Sequence, residues 1–129
     1  MKNCWIDIFN GPHVHFFQFI GHFEKHVLFT ARNYSPIPEL IELYNIPAKK
    51  IGFHGGGDSY NKLKSSTERI LVLSEYIRNK DIDLLINKHS VEASRVAWGL
   101  AIPSISYIDN ELMVPQNMLV CSLTDVLIS

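Results

Sequence analysis

Two histidines stand two positions apart in the segment Asn10-Gly-Pro-His-Val-His15, directly behind a short apolar run. An imidazole has an ordinary pKa of about 6.5, so near neutral pH it can act as a general base or hydrogen-bond a phosphate or a sugar hydroxyl group. The Gly11-Pro12 step predicts a tight turn that opens a helix, where backbone amides attract anions. His13 falls in the first turn and is the candidate catalytic base, whereas His15 points off at a different angle. The alternative for either histidine is a cap or a packing contact with the neighbouring loop.

Three further segments carry glycines or polar residues, namely His54-Gly-Gly-Gly57, Asn87-Lys-His-Ser-Val-Glu92 and Asp109-Asn-Glu111. Consecutive glycines allow a ligand to approach the backbone closely, although a surface loop has the same composition. Ser90 and Glu92 fit the N-cap and first turn of a helix, where Glu92 could bind sugar hydroxyl groups or simply complement the helix dipole. The segment 109–111 suits a carbohydrate, or forms an ordinary polar turn. The candidate ligand-binding residues are Asn10, Gly11, His15, His54, Gly55, Gly56, Ser90, Glu92, Asp109, Asn110 and Glu111.

The elements that must position these loops alternate between short β-rich runs and stretches of helical periodicity, which predicts an α/β fold. Strands are predicted near residues 4–9, 26–30, 49–53, 83–87, 104–108 and 125–128. Helices are predicted near residues 12–25, from 35–36, over 62–80, behind the N-cap Ser90, and over 115–122. In the long helix predicted over 62–80, Leu63, Ile70, Leu73 and Ile77 form the apolar face. Right-handed crossovers favour a three-layer, Rossmann-like, doubly wound parallel sheet of strand order 3-2-1-4-5-6.

This strand order places the first and fourth strands side by side, at the point where the order of winding reverses. Ligands of such sheets bind beyond the carboxyl ends of the strands at that point. All four polar segments follow strands, so we expect them to converge on this edge. Two helix N-termini facing one cleft would favour a diphosphate or a sugar phosphate.

Composition limits the classes of partner. The chain has 129 residues, 47% of them hydrophobic, which fits one domain. Lys and Arg together number 12 against 13 Asp and Glu. The sequence contains no basic stripe of the kind that predicts nucleic-acid binding. Cys4 and Cys121 are expected to be free core thiols of a reducing compartment. No signal-peptide pattern or membrane-length apolar run is present, so the prediction is cytoplasmic, with association to a membrane surface left open.

Several signatures of cofactor and catalytic sites are missing from the sequence. No G-x-G-x-x-G follows the first apolar run, and neither a G-x-x-x-x-G-K-[ST] phosphate loop nor a G-x-S-x-G elbow occurs. The residues at the predicted edge that could ligate a metal are His13, His15, His54, His89 and Asp109. Their spacing matches no strong ligand pattern such as H-E-x-x-H, so we expect no cofactor and no metal.

Five motifs, taken in order, carry a resemblance to a known family. They are "WIDIFNGPHVHFF", "LFTAR", "GFHGG", "SVEASRVAWGLAIPSI" and "DNE", and the likeness runs from residue 5 to about residue 128. The sequence resembles an uncharacterised archaeal and bacterial family of predicted glycosyltransferases. That family is related to the peptidoglycan lipid-intermediate glycosyltransferase and to the non-hydrolysing UDP-N-acetylglucosamine 2-epimerase.

The resemblance implies a glycosyltransferase-B arrangement of two Rossmann-like halves, of which residues 1–129 match the N-terminal, acceptor-side half. By position, His13 resembles the histidine behind the family's glycine-rich turn, and Ser90, Glu92 and the segment 109–111 resemble its acceptor-side loops. The implied function is binding of a sugar phosphate, a UDP-sugar or a lipid-linked sugar. Transfer would need the absent C-terminal donor-binding half. Either the chain is a fragment of a longer protein, or it works with a separate C-terminal half, or it forms a homodimer. The alternatives are a non-catalytic binding or scaffolding module and an epimerase-like half completed by oligomerisation.

Overall fold

The computed structural model describes the backbone of residues 3–129 and, outside residues 21–24, their side chains. The strands are β1 (Cys4–Ile8), β2 (Val27–Ala31), β3 (Ala48–Lys50), β4 (Leu84–Lys88), β5 (Ser104–Tyr107) and β6 (Val126–Ile128). The α-helices are α1 (Gly11–Phe17), α2 (Ile37–Leu43), α3 (Ser59–Ile77), α4 (Val91–Gly99) and α5 (Val114–Cys121). A 3-10 helix covers Gln18–His26 between α1 and β2.

The six strands form one parallel sheet in the order β3-β2-β1-β4-β5-β6, which confirms the predicted fold class and strand order. β1 and β4 are neighbours, so the loops that follow them leave the same edge of the sheet. We call this edge, where all six strands end, the carboxyl edge. In the central rows Asp7 of β1 lies level with Thr30 of β2 and Asn87 of β4. Three polar residues thus stand side by side close to the carboxyl edge.

Helices cover both faces of the sheet because side chains alternate between the faces along each strand. Ile6 and Ile8 point to one side and pack with Phe17 of α1 and Ile41 of α2. Trp5 points to the other side, where a second apolar cluster includes residues of α3 and α4. Each fully buried large apolar side chain contributes about 1.5–3 kcal/mol, so the two clusters hold the three layers together.

Two predicted elements are shorter than expected. The first α-helix was expected over residues 12–25, but regular α-helix ends at Phe17 and continues as a 3-10 helix. Gly21 is a poor helix former, which favours this early change of winding. The third strand was expected to reach residue 53, but it ends at Lys50, because Gly52 adopts a left-handed φ of 78° that a strand does not accommodate.

The long helix α3 also differs from the expectation in its start and in its buried face. It begins at Ser59 instead of near residue 62, because the Asp58 side chain caps it by accepting a hydrogen bond from Asn61 N at 2.8 Å. The predicted apolar face included Leu63, yet 67% of Leu63 is exposed. The buried face instead runs through three residues spaced four apart, Arg69, Leu73 and Ile77. An arginine therefore occupies a core position.

Two observations concern the surroundings that the chain could occupy. Cys4 and Cys121 are both free thiols and half-buried. Within residues 3–129, none of the helices combines the length and the apolar character that crossing a lipid bilayer requires.

Candidate functional site

A buried carboxylate lies at the centre of the sheet, just beneath the carboxyl edge. Asp7 is 0% exposed and accepts two hydrogen bonds from the Arg69 guanidinium, Nη2 to Oδ1 at 2.7 Å and Nη1 to Oδ2 at 3.1 Å. Thr30 Oγ1 donates to Oδ1 at 2.6 Å while accepting from Trp5 Nε1 at 2.8 Å, and the Ser90 hydroxyl donates to Oδ2. Four donors therefore compensate the desolvation of this carboxylate.

Arg69 carries the same network outward to the surface. Its Nε donates to the carbonyl oxygen of Ile51 at 2.8 Å, and its Nη1 lies 3.5 Å from Glu92 Oε2. Glu92 Oε1 accepts a further hydrogen bond from Ser66 Oγ at 2.9 Å. We call the groups joined in this way the Asp7 network. Because it links β1, β2, the end of β3, α3 and α4, it fixes the relative positions of the loops at the carboxyl edge.

Ser90 is part of this network and also begins α4. Its Oγ accepts a hydrogen bond from Ala93 N at 3.3 Å, as expected of an N-cap residue. Its backbone N donates to Asn87 Oδ1 at 3.1 Å, and Asn87 Nδ2 in turn donates to Ser106 Oγ at 3.0 Å. The Ser90 side chain is fully buried. Its polar atoms are thus bound to the protein itself and lie beneath the surface that a ligand would touch.

Gly52 provides a test of how tightly the Asp7 network is packed. It has a φ of 78°, and a Cβ at this position would lie 2.6 Å from both Cγ and Cδ of Arg69. Gly56 has a φ of 77°, but a Cβ there would meet only open space among the described residues. We expect Gly56→Ala to lower the free energy of unfolding by about 1 kcal/mol through backbone strain alone. Gly52→Ala should lower it by a further ~1–3 kcal/mol, because Arg69 cannot shift without losing its partners.

The comparison is made by urea denaturation of the two alanine variants. Since both substitutions impose nearly the same backbone strain, their difference isolates the contact with Arg69. Equal losses for Gly52→Ala and Gly56→Ala would show that the network yields to an added methyl group.

Above the Asp7 network lies a cavity of about 380 Å³, which we call the cleft. Its lining comes from the ends of β1, β2 and β3 and from the starts of α3, α4 and α5. Its lining residues include Phe9, Arg32, His54, Lys62, Glu92 and Leu119. The cleft therefore combines apolar and aromatic surface with a small number of charged groups, the usual composition of a small-molecule site.

The side of the cleft formed by the loops after β2 and β3 is aromatic and positively charged. The His54 ring stacks on Tyr34, with ring centroids 4.5 Å apart and planes inclined by 23°. The Arg32 guanidinium carbon lies 4.3 Å from the centroid of the Phe9 ring and 5.4 Å from that of Tyr34. Partial burial and the cationic side chains of Arg32 and Lys62 lower the pKa of His54. This side of the cleft disfavours added positive charge and favours an anion.

The glycines of the predicted ligand loop have separate structural reasons. A Cβ on Gly55 would lie 2.3 Å from the backbone oxygen of Asn61, so this glycine allows the loop to approach α3. Gly56 N donates to His54 Nδ1 at 2.9 Å, which orients the imidazole on the cleft wall. His54 and Gly55 line the cleft, whereas Gly56 orients a residue that does.

His13 is not among the residues that line the cleft; it belongs to a separate group of titratable residues that we call the His13 cluster. Lys88 Nζ lies 2.5 Å from Asp109 Oδ2, and His89 Nδ1 lies 3.6 Å from Asp109 Oδ1. The His13 ring, 5% exposed, has its centroid 5.9 Å from that of Phe9. Burial is the main cause that lowers the pKa of His13 to about 4, and the charges of Lys88 and His89 lower it further. The hydrogen bond from Lys88 lowers the pKa of Asp109. His13 Nδ1 and His89 Nε2 are buried without a hydrogen-bond partner among the described residues.

The structure gives the other residues of the first segment structural contacts away from the cleft. Asn10 caps α1 by accepting a hydrogen bond from Gly11 N at 2.9 Å. A Cβ on Gly11 would lie 3.1 Å from the Pro36 side chain, so packing explains this glycine. His15 is exposed, and its Nδ1 lies 3.0 Å from the hydroxyl oxygen of Tyr44 at the end of α2. The two histidines thus lie on different sides of α1, with His15 directed toward α2.

The acidic segment after β5 forms the approach to α5. Asn110 Oδ1 accepts a hydrogen bond from Leu112 N at 3.1 Å, and the Asn110 backbone oxygen accepts one from Asn117 Nδ2 at 2.9 Å. Asp109 joins the His13 cluster, whereas Glu111 is exposed. The four predicted segments thus lie along one edge, divided between the cleft, the Asp7 network, the His13 cluster and α1.

Four residues important to this site were not among the sequence candidates. Asp7 and Arg69 could have been found, because each is a charged residue in an otherwise buried pattern: a strand in one case and the helical stripe of Leu73 and Ile77 in the other. Arg32 and Lys62 follow no such rule. Their proximity depends on how β2 and α3 are arranged, which the sequence does not reveal locally.

Comparison with known proteins places this geometry among related folds. The chain is 44% identical over 130 residues to an uncharacterized protein of Methanocaldococcus jannaschii, a match that covers 98% of this chain and 38% of that protein. It is similar in structure to Acinetobacter baumannii MurG, with a TM-score of 0.73 and 15% identity over 98% of this chain and 41% of that one. It is also similar to UDP-GlcNAc 2-epimerase from Neisseria meningitidis bound to UDP-GlcNAc, with a TM-score of 0.67 and 16% identity over 96% of this chain and 39% of that one.

The chain therefore spans about two fifths of the length of these relatives. The structural likenesses confirm the expected fold, a Rossmann-like half of the glycosyltransferase-B type. A family model described as "Protein of unknown function (DUF354)" matches residues 2–129. Since that match extends over nearly the whole chain, the protein belongs to this family.

Proposed function

We propose that this chain is the acceptor-side domain of a glycosyltransferase. It binds a sugar phosphate or a lipid-linked sugar in the cleft and requires a second Rossmann half for transfer. The observation that carries the proposal is the position of the cleft, beyond the carboxyl ends of the strands and beside the β1–β4 pair, where sheets of this topology bind ligands. The likeness to MurG and to an epimerase bound to UDP-GlcNAc supports a sugar-nucleotide or sugar-phosphate ligand.

The lining of the cleft suits a phosphorylated sugar. Phe9 and Leu119 offer apolar surface to a sugar ring or the first part of a lipid, and Arg32 and Lys62 offer positive charge. Glu92 supplies carboxylate oxygens that can accept hydrogen bonds from sugar hydroxyl groups, the role that the sequence predicted for it. A ligand with both an uncharged hydroxylated part and an anionic part matches this division.

His13 is the candidate base in this proposal. Its lowered pKa of about 4 keeps the imidazole unprotonated at neutral pH, the state in which a base accepts a proton. A base of such low pKa is weaker than the ideal at that pH. An anionic ligand bound nearby would raise the pKa of His13 and so strengthen it as a base. Ligand binding and proton acceptance are therefore coupled in this proposal.

The test is a binding experiment with a matched pair of variants. Leu119 and Met118 are neighbours on α5 and both are exposed, but only Leu119 is among the residues lining the cleft. We expect UDP-N-acetylglucosamine, N-acetylglucosamine 1-phosphate or a short-chain polyprenyl diphosphate sugar to raise the melting temperature of the wild-type chain. Leu119→Trp fills the cleft and should abolish that rise, whereas Met118→Trp should preserve it.

Three results would contradict the proposal in different ways. If none of the three ligands raises the wild-type melting temperature, the chain is better explained as a scaffolding module. If ligands bind equally well to both tryptophan variants, the site lies elsewhere. If the isolated chain interconverts UDP-sugars as a dimer, the epimerase-like alternative replaces transfer.

A further inference from the structure

Arg32 is a half-buried cation that forms no ion pair with the described side chains. Its Nε atom is buried and has no hydrogen-bond acceptor among the described residues. Within the side chains that the structure describes, no carboxylate oxygen lies within 4.0 Å of the Arg32 guanidinium, in contrast to Arg69. A guanidinium stays protonated even when it is partly desolvated, so its charge remains without a direct ion pair to a described carboxylate.

Arg32 is nevertheless held in one place. Its backbone N donates to the carbonyl oxygen of Ile8 at 2.9 Å, which fixes the residue to the end of β1. Its guanidinium lies against the rings of Phe9 and Tyr34, at 4.3 Å and 5.4 Å from their centroids. A cation fixed in this way loses little conformational freedom when it binds a ligand, and preorganisation of this kind favours affinity.

The carboxylate that shares the cleft with Arg32 is already engaged. Glu92 Oε1 accepts from Ser66 Oγ at 2.9 Å, and Glu92 Oε2 lies 3.5 Å from Arg69 Nη1. These contacts direct Glu92 toward the Asp7 network, so its charge is largely matched by Arg69. A second cation, Lys62, lines the cleft from the first turn of α3. The unmatched charge in the cleft is therefore positive and comes from two side chains.

Of the three helix N-termini next to the cleft, those of α3 and α4 are capped by side chains of the protein itself, whereas α5 has no side-chain cap within the part of the chain that the structure describes. Asp58 caps α3 through Asn61 N, and Ser90 Oγ caps α4 through Ala93 N. Arg32 and Lys62 therefore offer an anion full positive charges, whereas the α3 and α4 termini already have their own acceptors. The sequence had favoured the helix termini for this purpose.

We propose that Arg32, together with Lys62, binds the phosphate group of the sugar-phosphate ligand. The inference rests on the proposed function and adds to it the residues that recognise the anion. A guanidinium presents paired N–H donors that match phosphate oxygens, and an ammonium adds a second charge for a dianionic group. A phosphate ester is therefore preferred to a carboxylate, which carries a single charge.

The experiment is isothermal titration at low salt with three probes that share a sugar ring but differ in charge. They are N-acetylglucosamine 1-phosphate, uncharged N-acetylglucosamine and glucuronic acid. Arg32→Met should weaken binding of the sugar phosphate roughly 10- to 100-fold, the effect of losing charge-assisted hydrogen bonds, and leave the uncharged sugar unchanged. Arg95→Met is the matched control. Arg95 is an exposed guanidinium 5.4 Å from the Trp98 ring centroid and does not line the cleft.

A stability measurement without ligand separates binding from a structural role. Because Arg32 forms no ion pair with a described carboxylate, Arg32→Met should melt no lower than the wild type. Loss of an arginine with a structural role would lower the melting temperature. Equal binding of the sugar phosphate to wild type and Arg32→Met overturns the inference and leaves the proposed function standing. Tighter binding of glucuronic acid than of the sugar phosphate also overturns it. Failure of all three probes to bind the wild type removes the inference together with the proposed function.

Discussion

Replacing Arg69 with methionine should lower the free energy of unfolding by about 3–5 kcal/mol, the cost typical of removing one partner of a buried ion pair. Arg69 is 1% exposed, and Asp7 beneath it is fully buried. Without the guanidinium, Asp7 loses two of its four donors, and the carbonyl oxygen of Ile51 loses the side-chain hydrogen bond that it accepts from Arg69 Nε. No water can easily replace these donors, because methionine fills most of the same space.

Denaturation by urea measures this loss against an exposed arginine on the same helix. Arg78, at the end of α3, is exposed, so Arg78→Met should change the free energy of unfolding by no more than about 0.5 kcal/mol. Combining Arg69→Met with Asp7→Asn should cost less than the sum of the two single changes, since residues in one network are coupled. A loss below about 1 kcal/mol for Arg69→Met, or simple additivity, would show that the pair contributes little.

The Asp7 network also connects stability with the candidate site. Its outermost member, Glu92, lines the cleft, while its innermost member, Asp7, lies in the central strand of the sheet. Any ligand that contacts Glu92 therefore acts on a side chain whose position is set by Arg69. The network explains why the Glu92 carboxylate is oriented at the cleft and yet forms its ion pair with Arg69 instead of Arg32.

The fold could be predicted because its determinants are local or topological. Ser90 marks the start of α4 because its own side chain caps the helix. The alternation of apolar runs with helical stripes can be recognised within each segment of the sequence. The handedness of crossover connections then limits the strand order to few choices. The errors occurred where a single glycine changes the backbone, as at Gly52 beyond β3, or where helix winding changes gradually, as after Phe17.

The site was harder to predict because its contacts join distant parts of the chain. Asp7 and Arg69 are 62 residues apart in sequence, and Asp7 and Ser90 are 83 apart. Glycines were also ambiguous, since Gly11 and Gly55 suggested a ligand but pack closely against Pro36 and α3. Sequence patterns could locate the edge of the sheet, but they could not assign each residue to a ligand, to packing or to the buried network.

The pH dependence of stability should show the burial of His13. Its folded-state pKa is about 4, below the ordinary value of 6.5 that it regains on unfolding. Above about pH 6.5 the ring is neutral in both states, and the native state carries no penalty. As the pH falls below that value, the unfolded chain takes up the proton first, so unfolding becomes progressively easier until about pH 4. This difference corresponds to a loss of about 3 kcal/mol in total, of which about 2 kcal/mol falls between pH 7 and pH 5.

Urea denaturation at both pH values checks this prediction, with His13→Gln as the variant that cannot titrate. The loss between pH 7 and pH 5 should be smaller in His13→Gln than in the wild type by about the amount assigned to His13. NMR titration of the His13 ring gives the pKa directly. Lys88→Gln should move it upward, because the Lys88 charge is one of the causes that lower it, while burial keeps it below the ordinary value. A wild-type His13 that titrates near pH 6.5 would mean that the ring is open to water, and its place beneath Phe9 would have to be abandoned.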